Sequence, residues 1–188
     1  MGGGVNLASG FYNTFNQDDA LMPIIASIGD STFFHACLEP LYDAAKNKKK
    51  FVLVIMDNST TAMTGMQPTP QSGISAAGTK AGSMKIEDVV AGFGIEFLKI
   101  VDPYDVPLTI KTIEDAQKYL QEAGAGPAVI IARRECLLYV KGRREGDSDF
   151  RIADIEENCN GCKHCLKVFE CPAIVFDETA INDFGGTA

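Results

Sequence analysis

No apolar stretch of this 188-residue chain is long enough to cross a bilayer, since the longest runs, residues 51–56 and 128–132, fall far short of the ~18 residues required. Positive charge is scarce as well: 17 Lys and Arg face 25 Asp and Glu, for a net charge of −8. Such a chain has no field to attract a phosphate backbone, which argues against nucleic acid as a partner. Six cysteines are too few for a disulfide scaffold. The opening Met1-Gly2-Gly3-Gly4 has neither the basic stretch nor the apolar core of a secretory signal, and Asn6 stands where a myristoylation site has Ser or Thr. The expectation is a cytoplasmic protein without a membrane span. Internal repeats and low-complexity tracts are lacking too. What is present is globular in balance, 46% apolar and 22% charged, and long enough for one domain with a remainder.

Residues 51–56 and 127–132 are rich in β-branched side chains and do not alternate with polar ones. Strands of that kind are buried on both faces, as in parallel sheets. Weaker strands are expected at 24–28 and 96–101. Between them, Phe34, Cys37, Leu38, Leu41 and Ala45 recur at helical steps over 32–46, with Pro40 predicting a kink or restart. Further helices are expected at 85–93 and 112–124, the latter stopped by Gly124-Ala125-Gly126-Pro127. The alternation predicts an α/β fold, an open and mainly parallel sheet with helices on both faces, over residues 1–140. Residues 141–150 are nearly devoid of apolar side chains and read as a linker, followed by a small unit at 151–188.

Asp30, in Gly29-Asp30-Ser31, lies where the first strand hands over to a helix, at the carboxyl edge where open α/β sheets bind ligands. Asn58 lies at the matching end of the next strand. If those strands are neighbours, both oxygen-bearing side chains converge beside a helix N-terminus, and a Mg²⁺ bridging to a diphosphate fits there. Gly29 permits a tight turn. Taken alone, Gly-Asp-Ser is a common turn and an Asp before a helix an ordinary cap.

The longer pattern is more specific. Gly29-Asp30-Ser31 followed by a helix, a strand and Asn58 resembles the diphosphate-binding motif of thiamine diphosphate enzymes, usually Gly-Asp-Gly followed by Asn. The runs at 29–36 and 57–68, continued by Arg133-Arg134-Glu135-Cys136 and the terminal cysteines, resemble the α-subunits of indolepyruvate ferredoxin oxidoreductases over nearly the whole chain. The resemblance implies a thiamine diphosphate-binding fold in which Asp30 and Asn58 are side-chain ligands of Mg²⁺ and Thr60 a main-chain carbonyl ligand. It implies that Ser31, Thr61, Thr64 and Gly65 lie near the diphosphate or the reacting end of the cofactor. Ser31 departs from the usual third Gly, as in many members.

Cys159, Cys162 and Cys165 stand at three-residue steps, and Cys171-Pro172 follows. A tight loop that supplies three thiolates, with a fourth returning, is a ferredoxin-type arrangement for a [4Fe–4S] cluster. Zinc sites more often pair two Cys-x-x-Cys knuckles across a longer gap. Five residues separate Cys165 from Cys171, where the ferredoxin run has three. Either all four thiols hold one cluster, or a second quartet belongs to a longer protein, as in many members of the family it resembles.

Other residues leave alternatives open. His35 either meets substrate, as the resemblance suggests, or is a structural histidine. His164 is expected to be exposed, and Cys37 and Cys136 to be small buried apolar residues. Arg133 and Arg134 either meet a substrate carboxylate, line a docking face or form ion pairs. Lys141, Arg143 and Arg144 are solvated linker or a landing site for an acidic ferredoxin. Gly2 to Gly4 either permit a helix to approach the cofactor closely or form a flexible start.

The resemblance implies oxidative decarboxylation of an aryl 2-oxoacid, with coenzyme A as acyl acceptor and ferredoxin as electron acceptor. Aliphatic 2-oxoacids are the alternative within the same chemistry; a non-catalytic iron–sulfur module is the alternative outside it. No pyrimidine-binding module is recognisable. The expectation is therefore a fragment or subunit that needs such a partner and works in an oligomer.

Overall fold

Because residues 51–56 and 127–132 can be buried from either side, they take the middle of the sheet. The computed structural model describes residues 2–18, 22–136, 159–168, 174, 176 and 179. The strands are β1 (Ile25–Gly29), β2 (Val52–Asp57), β3 (Leu98–Val101) and β4 (Ala128–Arg133), in the spatial order β1-β2-β4-β3. All three pairings are parallel, with Gly29 opposite Met56 and Asp57 opposite Arg133. The central strands carry fully buried Leu53, Ile55, Val129 and Ile131 on one face and Val52 and Ala128 on the other. Edge strand β1 alternates instead, with Ala26 and Ile28 buried and Ile25 half-exposed.

One face is covered by α1 (Gly3–Gln17), α2 (Asp30–Ala36), α3 (Leu38–Lys46) and α4 (Ile86–Gly92), which contribute Val5, Phe33, Leu41 and Val90 to the larger core cluster. The opposite face packs α5 (Val106–Tyr119) through Ala116. The expected break near Pro40 occurs at Cys37, between α2 and α3. Proline lacks an N–H and its ring clashes with the carbonyl four residues back, here Ala36, so the helix ends there and restarts.

One expectation is corrected, and one left open is decided. The helix expected at 112–124 starts six residues earlier and ends at Tyr119: Asp105 caps it by accepting from the Leu108 amide at 3.1 Å, and Pro107 suits a first turn. The glycine-rich start is helical. α1 is poor in helix formers, and burial of Val5 and Ala8 overrides its weak propensity. Gly2, at φ +82°, lies so close to α2 that a Cβ there would stand 2.5 Å from the Ala36 Cβ. The glycines thus permit close approach of α1 to α2 and β1.

The chain divides into two compact units, Met1–Glu145 and Gly146–Ala188, and the boundary falls within the stretch 141–150, outside the described residues. In the second unit a left-handed turn at Gly161 and Lys163 leads into the short α6 (His164–Lys167).

Candidate cofactor site

β1 and β2 are adjacent and parallel, so their carboxyl ends bring Asp30, the first residue of α2, beside Asp57 and Asn58. Asp30 is only 3% exposed. Its Oδ1 accepts the Ser31 amide at 2.7 Å, while Oδ2 is buried without a hydrogen-bond partner. Burial pushes its carboxyl up to about 6; the Ser31 amide opposes that shift and the neighbouring Asp57 adds to it.

Past β2 the backbone folds into two overlapping side-chain turns. The Ser59 amide donates to Asp57 Oδ1 at 3.0 Å, and the Thr60 amide to Asn58 Oδ1 at 3.2 Å. Thr60 is buried, its hydroxyl donating to the Gln67 carbonyl at 3.3 Å, and the Thr61 amide bonds the same carbonyl at 3.1 Å. Ser31 Oγ and Thr61 Oγ1 lie 2.7 Å apart, a link across the crevice between residues 30 positions apart. Gln67 closes the 61–67 turn through its side chain, which bonds both the hydroxyl and the carbonyl of Thr64. Gly65 has φ +116°, which disfavours any side chain there.

Gly29, Asp30, Ser31, Asn58, Thr60 and Thr61 therefore gather at the carboxyl edge, and Thr64 and Gly65 are exposed on the turn beyond. His35 is exposed on the last turn of α2. Cys37 is fully buried as expected, whereas Cys136 is half-exposed, its amide donating to the Asn58 carbonyl at 3.0 Å. Arg133 and Arg134 are both in ion pairs. Arg134 bonds Asp102 at 2.6 Å and stacks on Tyr104, 4.0 Å from the ring centre.

Arg133 belongs to a network that sequence reading missed. Its Nε donates to Asp57 Oδ2 at 2.6 Å, and its two terminal nitrogens fork onto Glu87 of α4 at 3.1 and 2.6 Å. Gln71 donates to Asp57 Oδ1 at 3.0 Å. Hydrogen bonding to Arg133 holds the Glu87 carboxyl below its ordinary range, and hydrogen bonding to Glu87 raises the Arg133 guanidinium above its own. The available signal was an Asp that closes an otherwise apolar strand. A polar cavity of about 390 Å³ opens beside this network, lined by Ser59, Gln71, Lys85, Glu87 and Arg133 among others.

Cys159 and Cys165 are half-exposed, Cys162 is exposed, and all three are free thiols. Among the described residues no group of three or more His, Cys, Asp or Glu side chains is gathered as metal ligands. Cys171, the fourth expected ligand, lies outside the described residues.

Residues 1–132 match the family described as thiamine pyrophosphate enzyme, C-terminal TPP binding domain. The chain belongs to that family. It is also 39% identical to the indolepyruvate oxidoreductase subunit IorA of Archaeoglobus fulgidus, over 97% of the chain and 28% of the relative. It is 43% identical to the IorA subunit of Pyrococcus horikoshii, over 82% of the chain and 23% of the relative. The chain thus spans about a quarter of the length of these curated relatives. Its fold resembles that of a 2-oxoglutarate:ferredoxin oxidoreductase from Magnetococcus marinus, with a TM-score of 0.58 and 16% identity over 80% of this chain and 55% of that one. The family fold and the open parallel sheet agree with the expectation from sequence.

A buried carboxylate oxygen without a protein partner is costly to desolvate, and a hard cation would satisfy it. In this respect the crevice fits a Mg²⁺-bound diphosphate.

Proposed function

We propose that this chain is the diphosphate- and Mg²⁺-binding part of a thiamine diphosphate-dependent 2-oxoacid:ferredoxin oxidoreductase that acts on aryl 2-oxoacids of the indolepyruvate type. The observation that carries the reading is the buried Oδ2 of Asp30, without a hydrogen-bond partner, at the carboxyl edge of β1 and next to the strand that leads into Asn58 and Thr60. Asp30 and Asn58 supply side-chain oxygens to the cation, and Thr60 its carbonyl. Ser31 and Thr61 hold the two walls of the crevice together. Thr64 and Gly65 flank the cofactor from the 61–67 turn, and His35 is assigned to substrate.

When bound, thiamine diphosphate supplies the carbanion and electron sink for decarboxylating a 2-oxoacid. The chain's share is to fix the diphosphate, orient the ring and exclude water. Coenzyme A as acyl acceptor, ferredoxin as electron acceptor, a partner module for the pyrimidine ring and an oligomeric assembly complete the proposal. The spacing of Cys159, Cys162, Cys165 and Cys171 supports a [4Fe–4S] cluster in the second unit.

Calorimetric titration of the chain with thiamine diphosphate and Mg²⁺ tests the reading: saturable binding is expected, with loss in Asp30→Ala. Equal binding by that variant would sink the assignment of Asp30. Iron and sulfide analysis after anaerobic purification tests the cluster separately, with about four iron atoms per chain expected.

A further inference from the structure

The 57–60 turn presents both Asn58 and Thr60, and the Asp57 side chain that bends it through the Ser59 amide is held from outside the crevice by Arg133. We propose that Glu87, Arg133 and Asp57 form a positioning chain that sets this turn, so that Arg133 governs the cation site without touching cation or diphosphate. The proposal rests on the reading of Asp30, Asn58 and Thr60 as that site.

The Asp57 side chain is fully buried, and all its observed bonds serve the turn or anchor it. Oδ1 takes the Ser59 amide at 3.0 Å, which bends the backbone after β2, and Gln71 at 3.0 Å. Oδ2 takes Arg133 Nε at 2.6 Å. Both terminal nitrogens of Arg133 are committed to Glu87, so the guanidinium plane is fixed from α4 on one side and from β2 on the other. An ammonium group has no such fork and cannot hold both carboxylates in this geometry.

The backbone adds a second tie through the same segment. The Arg134 amide bonds the Asp57 carbonyl at 2.9 Å and the Cys136 amide bonds the Asn58 carbonyl at 3.0 Å, which extends the pairing of β2 with β4 beyond the strand ends. Release of Arg133 would leave Asp57 buried with half its acceptors unmet, and the carboxylate would turn toward other donors or water. The Ser59 bond and the turn built on it would loosen with it. Neighbours of this kind act on a metal through its ligands, and their loss commonly weakens metal binding ~10–100-fold.

The experiment uses the chain itself with Glu87→Gln, Arg133→Lys and Arg133→Met. In cofactor-free protein, amide hydrogen exchange at Ser59 and Thr60 is expected to accelerate about tenfold in Arg133→Met, less in Glu87→Gln, while Val54 and Ile55 keep their wild-type protection. Arg133→Lys should fail to restore the turn. Binding of Mn²⁺ in the presence of thiamine diphosphate, read by electron paramagnetic resonance, should weaken in the same order, ~10-fold or more for Arg133→Met. Unchanged exchange at Ser59 and Thr60, or equal acceleration throughout β2 and β4, would overturn the proposal. So would weaker cofactor binding by Arg133→Lys with an undisturbed turn, the signature of direct contact. If the Arg133 variants do not fold, Glu87→Gln alone decides, since Glu87 is 22% exposed and not in the core. If the wild-type chain takes up no Mn²⁺ with the cofactor, the reading of the cation site fails, while the exchange comparison still judges the positioning of the turn.

Discussion

Asp30 carries a cost in the cofactor-free protein that its ligand would remove. Its folded-state value, about 6, lies above the ordinary 3.8, so between those limits the folded chain binds more protons than the unfolded one. The contribution of this group to stability is therefore fully present below about pH 4 and is lost as pH rises through about 6. Asp30→Asn should flatten the urea-unfolding profile over that window and gain of order 1–3 kcal/mol at pH 7. Mg²⁺ and thiamine diphosphate are expected to raise the melting temperature of the wild type, more so as pH passes 6, and the same variant should lose that rise. A second residue-scale test concerns the link between Ser31 and Thr61. A double-mutant cycle of Ser31→Ala and Thr61→Val should report a coupling of about 0.5–1.5 kcal/mol in unfolding, and zero coupling would mean that the two walls are held independently.

Among the elements, α5 depends on a single capping side chain. Asp105→Ala should cost about 1 kcal/mol, read from the denaturant midpoint at unchanged slope. α1 depends on an absent one, because Gly2→Val would drive a side chain into Ala36, and the consequence should be lost protection along α1 with the central strands intact. These two helices also mark the limit of what sequence could tell. Strands β2 and β4 were legible because burial on both faces leaves an apolar run without polar interruption. The α2–α3 break was legible because Pro40 acts locally, although the break falls three residues earlier, at Cys37. α1 was not legible, since its helicity comes from the surface it packs on and not from its residues. At the site, Asp30 and Asn58 could be paired in advance because parallel neighbours place their carboxyl ends together. The fork from Arg133 to Asp57 and Glu87 could not, as it joins residues 76 and 46 positions apart through side-chain geometry alone.

At the scale of the molecule, the two central strands carry the longest runs of buried side chains among the described residues. Ile55→Ala should destabilise the fold by about 2–5 kcal/mol, whereas Ile25→Ala, on the half-exposed edge, should stay within about 0.5–1 kcal/mol. Urea midpoints of the two variants check the contrast directly. The candidate cofactor contacts are distributed quite differently from that core. Every residue assigned to the cation or the diphosphate falls between Gly29 and Gly65, in one passage from the end of β1 through α2, α3 and β2 to the turn after it. Such a passage is portable, since residues 29–65 carry all of these groups in order. The bracing does not travel with it. Glu87 and Arg133 come from later in the chain, so a graft of residues 29–65 alone onto another parallel sheet would bring the ligands and leave their orientation behind, and a successful transplant must supply an arginine at the end of the adjoining strand and a carboxylate to hold it.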